Sequence, residues 1–299
     1  MGVLVTGGSG MLGRALMDTL SLDSGTRGVS RGGAHGTFAC DLTDPRQVEN
    51  FFSLNSFDLV VHTAAYSDVD GCERNPKLAH ASNALSTKYL AQACGQKRTP
   101  FIYISTDYVF DGTMKALVQE NDTPCPINIY GMTKLEGEVH TMQWAPVSAI
   151  VRTSWLFGPG NPANFVNAVA ERLRKEKVVR VLADQEDRPT YVKDLSLAIR
   201  KIADYLLLLS KKGPEENYQG IFHVCNAGET TRYEMALKIK EYLGLKEVMI
   251  EKLDKLPSES RPALRPKCAL MSTKHYETFF KTKLRRWEDS LKEYLSGGA

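Results

Sequence analysis

The chain has 299 residues, 42% of them hydrophobic and 24% charged, enough for one large domain or two modest ones whose core needs neither disulfides nor a structural metal. The formal net charge of +3 is spread along the sequence, which excludes the massed basic footprint of a nucleic-acid binder, and the longest apolar run, Tyr205 to Leu209, is far too short to cross a bilayer. Six scattered cysteines form no CxxC pair and no zinc-ligand spacing, so they read as reduced thiols in a cytoplasmic protein.

The first predicted element is the strand Val3-Leu4-Val5-Thr6, followed by the turn Gly7-Gly8-Ser9-Gly10-Met11-Leu12-Gly13 and an amphipathic helix. A tight turn needs a residue tolerant of positive φ, close approach to a pyrophosphate needs no Cβ, and helix packing on the strand needs another small residue. Gly7, Gly10, Met11, Leu12 and Gly13 are therefore expected to hold a dinucleotide, with the free amides of the helix start facing its phosphates. The next strand should end near Val29, and Val29-Ser30-Arg31 puts a guanidinium where an acid would hold ribose hydroxyls. A guanidinium suits a 2′-phosphate, so Arg31 argues for NADP(H) over NAD(H), with NAD(H) still open.

The apolar runs "LVVH" and "FIYIS" then alternate with helical patterns, as parallel strands covered on both faces do. Ala64, Ala65 and Tyr66 follow the first run and should meet the cofactor. Thr106 ends the second run, where the carboxyl ends of parallel strands line a ligand crevice. The helix "YGMTKLEGEVHTM" carries Tyr130 and Lys134 four residues apart, on one face. A tyrosine that gives a proton to a carbonyl oxygen has too high an ordinary pKa for ready exchange at neutral pH, and a nearby ammonium favours its phenolate. Thr106 should complete the trio by donating to the substrate oxygen or orienting the phenol. Trp155, after the strand "VSAIVRTSW", offers an aromatic platform for a sugar, or is a core tryptophan beside Phe157.

From Asn161 the rhythm loosens: a helix in "ANFVNAVAERLRKEK", a strand "VVRVLAD", a helix "KDLSLAIRKIADYLLLLS", a short "IFHVC" and a helix "TRYEMALKIKEYL". The stretch Lys252 to Pro266 reads as a loop or lid, and Trp287 to Leu295 as a docked helix. The expected architecture is α/β: a doubly wound parallel sheet of Rossmann type over 1–155, and over 156–299 mainly a smaller α/β substrate lobe with some segments returning to the core. Arg265 in "SRPALRPK" is a candidate for a nucleotide diphosphate, and Arg261 an equal one.

The turn spacing GxxGxxG, the YxxxK pair, "STDYVFDG", "PINIYGMTKLEGE", "VRTSWLFGPG" with "NFV", and "DQEDRPTYVKDL" resemble successive landmarks of the dTDP-4-dehydrorhamnose reductase family, extended short-chain dehydrogenases/reductases; "RPKCAL" is a looser match. The resemblance implies NADPH-dependent reduction of a C4 ketone on dTDP-4-dehydro-6-deoxy-L-mannose to dTDP-L-rhamnose, in a protein that can form a homodimer. It implies Thr106, Tyr130 and Lys134 as catalytic residues, Asp41 and Leu42 as adenine-side contacts, and Ser67, Val69, Thr106, Asp107 and Trp155 as contacts to the sugar or its carrier. Asn83 occupies the place of the family's helix asparagine, or is a plain solvated residue. Mg²⁺ helps some relatives dimerise, but no compact acidic cluster in this sequence establishes a metal site. Where relatives often read DQxGxPT, Asp187 replaces the glycine and Arg188 precedes the proline, which loosens the sugar assignment. The regulatory β-subunit of methionine adenosyltransferase keeps similar landmarks and gives a non-catalytic alternative; another nucleotide-sugar reductase or epimerase is a third.

Overall fold

The structure, a computed structural model, describes residues 2–297 apart from 22–24, 34–35, 115, 214 and 254–260. The first half alternates strands and helices: β1 (Gly2–Thr6), α1 (Met11–Ser21), β2 (Gly25–Ser30), β3 (Phe38–Ala39), α2 (Pro45–Leu54), β4 (Leu59–His62), α3 (Val69–Arg74), α4 (Pro76–Ala79), α5 (Ser86–Lys97), β5 (Phe101–Thr106), α6 (Ile129–Trp144) and β6 (Val147–Thr153). With the later strand Tyr218–His223 they build one parallel sheet, ordered Tyr218–His223, β6, β5, β4, β1, β2, β3. Every residue of β4, β5 and β6 is buried. Their near-continuous apolar sequence follows from this, because a parallel sheet is covered on both faces and neither face has polar positions to spare.

The chain winds outward from β1 through β2 to β3, then crosses back to β4 and winds the other way. The direction reverses between β1 and β4, which opens a crevice at their carboxyl ends. The second half contributes to this core: α8 (Val192–Ser210) buries Val192, Leu195, Ile199, Ile202 and Leu206 in the same cluster as Leu12 and Leu16 of α1. A second core gathers Phe157, α7 (Phe165–Lys175), α9 (Arg232–Tyr242) and the helix Trp287–Ser296. α9 starts on a complete capping box, in which Thr231 and Glu234 satisfy each other's amides.

Two elements differ from the sequence expectation. The long helical pattern across Asn83 is divided into α4, a π-helical stretch His80–Leu85 and α5. Thr87 Oγ1 donates to the Asn83 carbonyl within this stretch (2.6 Å), an alternative to the helix ladder that periodicity does not register. Lys252 and Leu253 lie not in a loop but at the end of the strand Met249–Leu253, which pairs in parallel with Val178–Leu182; of the segment expected as a lid, 254–260 lie outside the described residues. Among the described residues no helix is long and apolar enough to cross a membrane.

α6 is locked to the sheet by a buried ion pair. Arg152 of β6 donates from Nε to Glu138 Oε1 (2.9 Å) and from Nη2 to Oε2 (2.7 Å), and Ser105 Oγ of β5 donates to the same carboxylate (2.5 Å). Replacing Arg152 by Met leaves Glu138 as an uncompensated buried charge. Urea unfolding of Arg152→Met should show a loss of about 3–5 kcal/mol, and the Arg152→Met, Glu138→Leu double variant should recover most of it.

Candidate active site

The site starts at the turn after β1. Gly7 has φ 65°, and a Cβ there would fall 2.9 Å from the Ala64 backbone. Gly10 N–H donates to Gly7 O (2.8 Å), and a Cβ on Gly13 would lie 2.1 Å from the same carbonyl oxygen. The three glycines therefore let α1 press directly onto the turn, and no acidic side chain occupies the first turn of α1. Its first amides lack intrahelical acceptors and form a cradle for an anion, which is what a dinucleotide pyrophosphate requires. Beneath the turn, Thr6 Oγ1 and His62 Nδ1 lie 2.6 Å apart. Burial holds His62 down to about 3, so it is a neutral structural group.

A cavity of about 920 Å³ runs along the carboxyl edge of the sheet, a size suited to a bound small molecule or cofactor. It is lined by the glycine turn with Met11 and Leu12, by Arg31, Asp41 and Leu42, by Ala64, Ala65, Tyr66, Ser67 and Val69, by Thr106, Asp107, Tyr130 and Lys134, and by Trp155. At one rim Arg31 Nε lies 3.8 Å from Asp41 Oδ2 and is largely exposed. Asp41 accepts from Thr43 N (3.0 Å) and Thr43 Oγ1 (2.7 Å); chiefly the amide bond keeps its carboxyl below the ordinary range, so it stays charged beside Arg31.

Asn83 is buried rather than solvated. Its Oδ1 accepts from Tyr66 N (2.8 Å), and its Nδ2 donates to Tyr66 O (3.2 Å) and Thr133 Oγ1 (3.1 Å). It thereby ties the loop after β4 to α6, one residue from Lys134.

α6 starts at Asn128, whose side chain accepts from Gly131 N (2.8 Å). Gly131 in turn lets the helix approach Tyr108, whose carbonyl oxygen would lie 2.1 Å from a Cβ there. This sets Tyr130 and Lys134 at the cavity floor, but their charges are not arranged as the sequence suggests. Lys134 Nζ donates to Ile104 O (2.6 Å) and sits 4.2 Å from the centre of the Tyr103 ring; burial pulls its ammonium down to about 7. Burial, then the nearby Asp107, push the Tyr130 phenol well above its ordinary value, with Thr106 opposing. In this arrangement desolvation is the largest influence on both groups, Lys134 being buried and Tyr130 partly so.

Thr106 Oγ1 accepts from Tyr108 N (3.2 Å) and donates to Asp107 Oδ1 (2.9 Å). The same hydroxyl also lies within hydrogen-bond reach of the Tyr130 phenol, whose pKa it lowers. Asp107 faces a second buried carboxyl, Asp187, whose Oδ1 accepts from Arg188 N (2.7 Å). Asp107 Oδ2 completes no well-formed hydrogen bond. Burial raises Asp107 to about 6 and Asp187 well above the carboxylate range, since two carboxylates side by side cannot both ionise out of water.

Arg265 is not part of the cavity lining. Its Nη1 and Nη2 each donate to Asp70, at 2.6 Å, and Asp70 also accepts from Ala263 N, so its fork is consumed by a carboxylate of α3. Arg261 is likewise bound to Asp184 and Gln185. The cavity instead contains Arg232, whose guanidinium lies 3.8 Å from the centre of the Trp155 ring. Nothing in "TRYEMALKIKEYL" distinguishes that arginine from the surface charge of an ordinary helix start. Asp187 has a weak signal, as an acid where relatives often carry glycine. Among the described residues no three His, Cys, Asp or Glu side chains converge on a metal-sized site.

Comparison with known proteins gives a consistent neighbourhood. A family model described as the RmlD substrate binding domain matches residues 1–298. The chain is 34% identical over 297 residues to a dTDP-4-dehydrorhamnose reductase of Mycolicibacterium smegmatis, covering 98% of this chain and 85% of that protein. With the enzyme of that name from Streptomyces griseus it shares 35% over 291 residues, covering 97% and 91%. Among solved structures, a dTDP-4-dehydrorhamnose reductase of Clostridium acetobutylicum superposes with a TM-score of 0.88 at 32% identity, covering 99% of both chains. The Bacillus anthracis enzyme, solved in complex with NADP, gives 0.88 at 30% identity with the same coverage.

The carboxyl pair makes a pH-dependent contribution whose sign follows from its raised pKa values. The folded pair holds a proton that the unfolded chain releases above about pH 4, so the pair costs more and more stability as the pH rises from there, Asp107's share levelling off above about 6 and Asp187's growing further. Asp187→Asn removes that cost. Its melting temperature relative to the natural chain should therefore rise steadily between pH 5 and pH 8, and a constant difference would show that the two carboxyls do not share a proton.

Proposed function

The chain belongs to the dTDP-4-dehydrorhamnose reductase family of extended short-chain dehydrogenases/reductases, and on that premise we propose that it reduces the C4 ketone of dTDP-4-dehydro-6-deoxy-L-mannose to dTDP-L-rhamnose with NADPH. The observation that supports this reading best is that one continuous cavity joins the glycine turn to Thr106, Tyr130 and Lys134. A dinucleotide on the turn and a ketone beside the phenol then share a single water-poor space.

NADPH, when bound, supplies the hydride that reduces the carbonyl carbon. The turn and the first amides of α1 would hold its pyrophosphate, and Arg31, beside Asp41 at the rim, would supply a guanidinium to its 2′-phosphate. Tyr130 gives its proton to the carbonyl oxygen. Its raised pKa keeps it protonated at neutral pH, the form that a reduction consumes. Lys134, near neutrality in pKa and bonded to Ile104 O, is the nearest side chain of α6 able to carry the positive charge that a developing phenolate calls for. Thr106 must turn its hydroxyl from Asp107 towards the ketone oxygen or the phenol to assist.

Turnover followed as loss of NADPH absorbance with the dTDP-4-keto sugar tests the reading. Tyr130→Phe should cut kcat by about 10²–10⁴-fold while the NADPH dissociation constant holds. No turnover by the natural chain, with NADPH still bound, would favour a binding subunit like the methionine adenosyltransferase β-subunit instead. For the cofactor, the natural chain should bind NADPH more tightly than NADH, and Arg31→Ala should erase most of that preference; equal binding of the two by the natural chain would remove the role given to Arg31.

A further inference from the structure

Past the end of β6, the cavity that holds Tyr130 also holds a cation with no hydrogen-bonded partner among the described residues. Arg232, the first residue of α9, sets its guanidinium 3.8 Å from the centre of the Trp155 ring and 4.5 Å from that of Phe165. Both contacts are cation–π in kind, and they fix a plane without using any N–H donor. Among the described residues Arg232 makes no side-chain hydrogen bond and no ion pair. The neighbouring guanidiniums are all engaged: Arg188 with Met271 O (3.1 Å) and Glu229 (3.5 Å), Arg261 with Asp184 (2.6 Å), and Arg265 with Asp70 (2.6 Å).

Among the described residues no counter-ion reaches Arg232 within hydrogen-bond or ion-pair distance. Tyr108, Asp107 and Asp187 are the groups whose charge favours it, and Arg261 opposes; the two carboxyls share a proton, so the pair offers a single negative charge and neither carboxyl bonds the guanidinium. Burial lowers Arg232 only to about 10, so the guanidinium remains charged at neutral pH. A partly buried cation without a hydrogen-bonded partner is costly to keep. The ring beneath it is strained as well: Trp155 has φ 40°, a left-handed conformation that bulky residues rarely adopt. A strained tryptophan bracing an unpaired arginine inside a ligand cavity is an arrangement completed by an anion with several oxygens.

We propose that Arg232, braced by Trp155 and Phe165, is the residue that binds the diphosphate of the nucleotide-sugar substrate, in the place that the sequence suggested for Arg265 or Arg261. The inference rests on the nucleotide-sugar reading above and adds the residue that recognises the carrier. Cofactor and substrate phosphates are then held by separate groups: helix amides for one, a stacked guanidinium for the other. A planar fork suits two phosphate oxygens at once, which a lysine ammonium would meet only as a point charge.

Titration calorimetry of the full chain saturated with NADP⁺ provides the test, with thymidine 5′-diphosphate and thymidine as probes. Arg232→Gln should weaken thymidine diphosphate binding by at least tenfold and leave NADP⁺ binding unchanged, and thymidine, which lacks the phosphates, should bind both proteins equally. Arg232→Lys should recover only part of the affinity. Trp155→Leu, which keeps the charge but removes its brace, should weaken the diphosphate several-fold and serves if Arg232→Gln melts early. Equal thymidine diphosphate affinity in the natural chain, Arg232→Gln and Arg232→Lys would overturn the assignment while leaving the reductase reading intact. No thymidine diphosphate binding by the natural chain would overturn both.

Discussion

Everything at the carboxyl edge of this sheet depends on a contact that leaves no room for a side chain. α1 rests on the turn that precedes it so closely that the place of a Cβ on Gly13 is 2.1 Å from Gly7 O, and the turn rests on Ala64 with equal economy. Because the backbones touch there, the amino end of α1 opens into the crevice between β1 and β4 rather than into a layer of side chains. A helix start so placed is a ready site for phosphate, and the strand ends beside it become walls of the same cavity.

Water exclusion then governs the chemistry of those walls. Tyr130 and Lys134 lie where a sequence pattern puts them, yet their protonation is set by dryness: the phenol is driven up and the ammonium down towards neutrality. The same dryness makes Asp107 and Asp187 act as one proton-holding unit, and it occupies the hydroxyl of Thr106 with Asp107. Thr106, Tyr130 and Lys134 thus sit within a larger polar group that includes Asp107 and Asp187.

The cavity around Arg232 is built by segments far apart in the chain. Trp155 follows β6, Asp187 lies on a short strand paired with Thr230 and Thr231, and Arg232 opens the helix after that strand. The capping box at Thr231 and Glu234 holds the helix start in place, and the second core anchors the rest of α9 through Met235, Ala236 and Ile239. The division of labour is physical: the turn after β1 offers fixed backbone donors, while the later segments bring the side chains of Trp155 and Arg232 into the cavity.

Local features were legible in the sequence because local sterics demand them. Positive φ and close approach select glycine at Gly7 and Gly13, continuous apolar runs mark the doubly covered strands β4 and β5, and a four-residue spacing places Tyr130 and Lys134 on one helix face. Arg31 also follows from its strand end, whereas Asp41 entered only through the family resemblance. What no local pattern carried was the pairing of charges across the fold. Arg265 and Arg261 are indistinguishable from ligand arginines until Asp70 and Asp184 are seen to occupy them, and Asn83 is a helix asparagine until its bonds to Tyr66 and Thr133 are drawn. The sequence by itself therefore determined the sheet, the glycine turn and the residue types at the strand ends, since each is dictated by neighbours along the chain. Only the tertiary structure decided which charges are left to meet a ligand, because that depends on which carboxylates, distant in sequence, fold close enough to claim the rest.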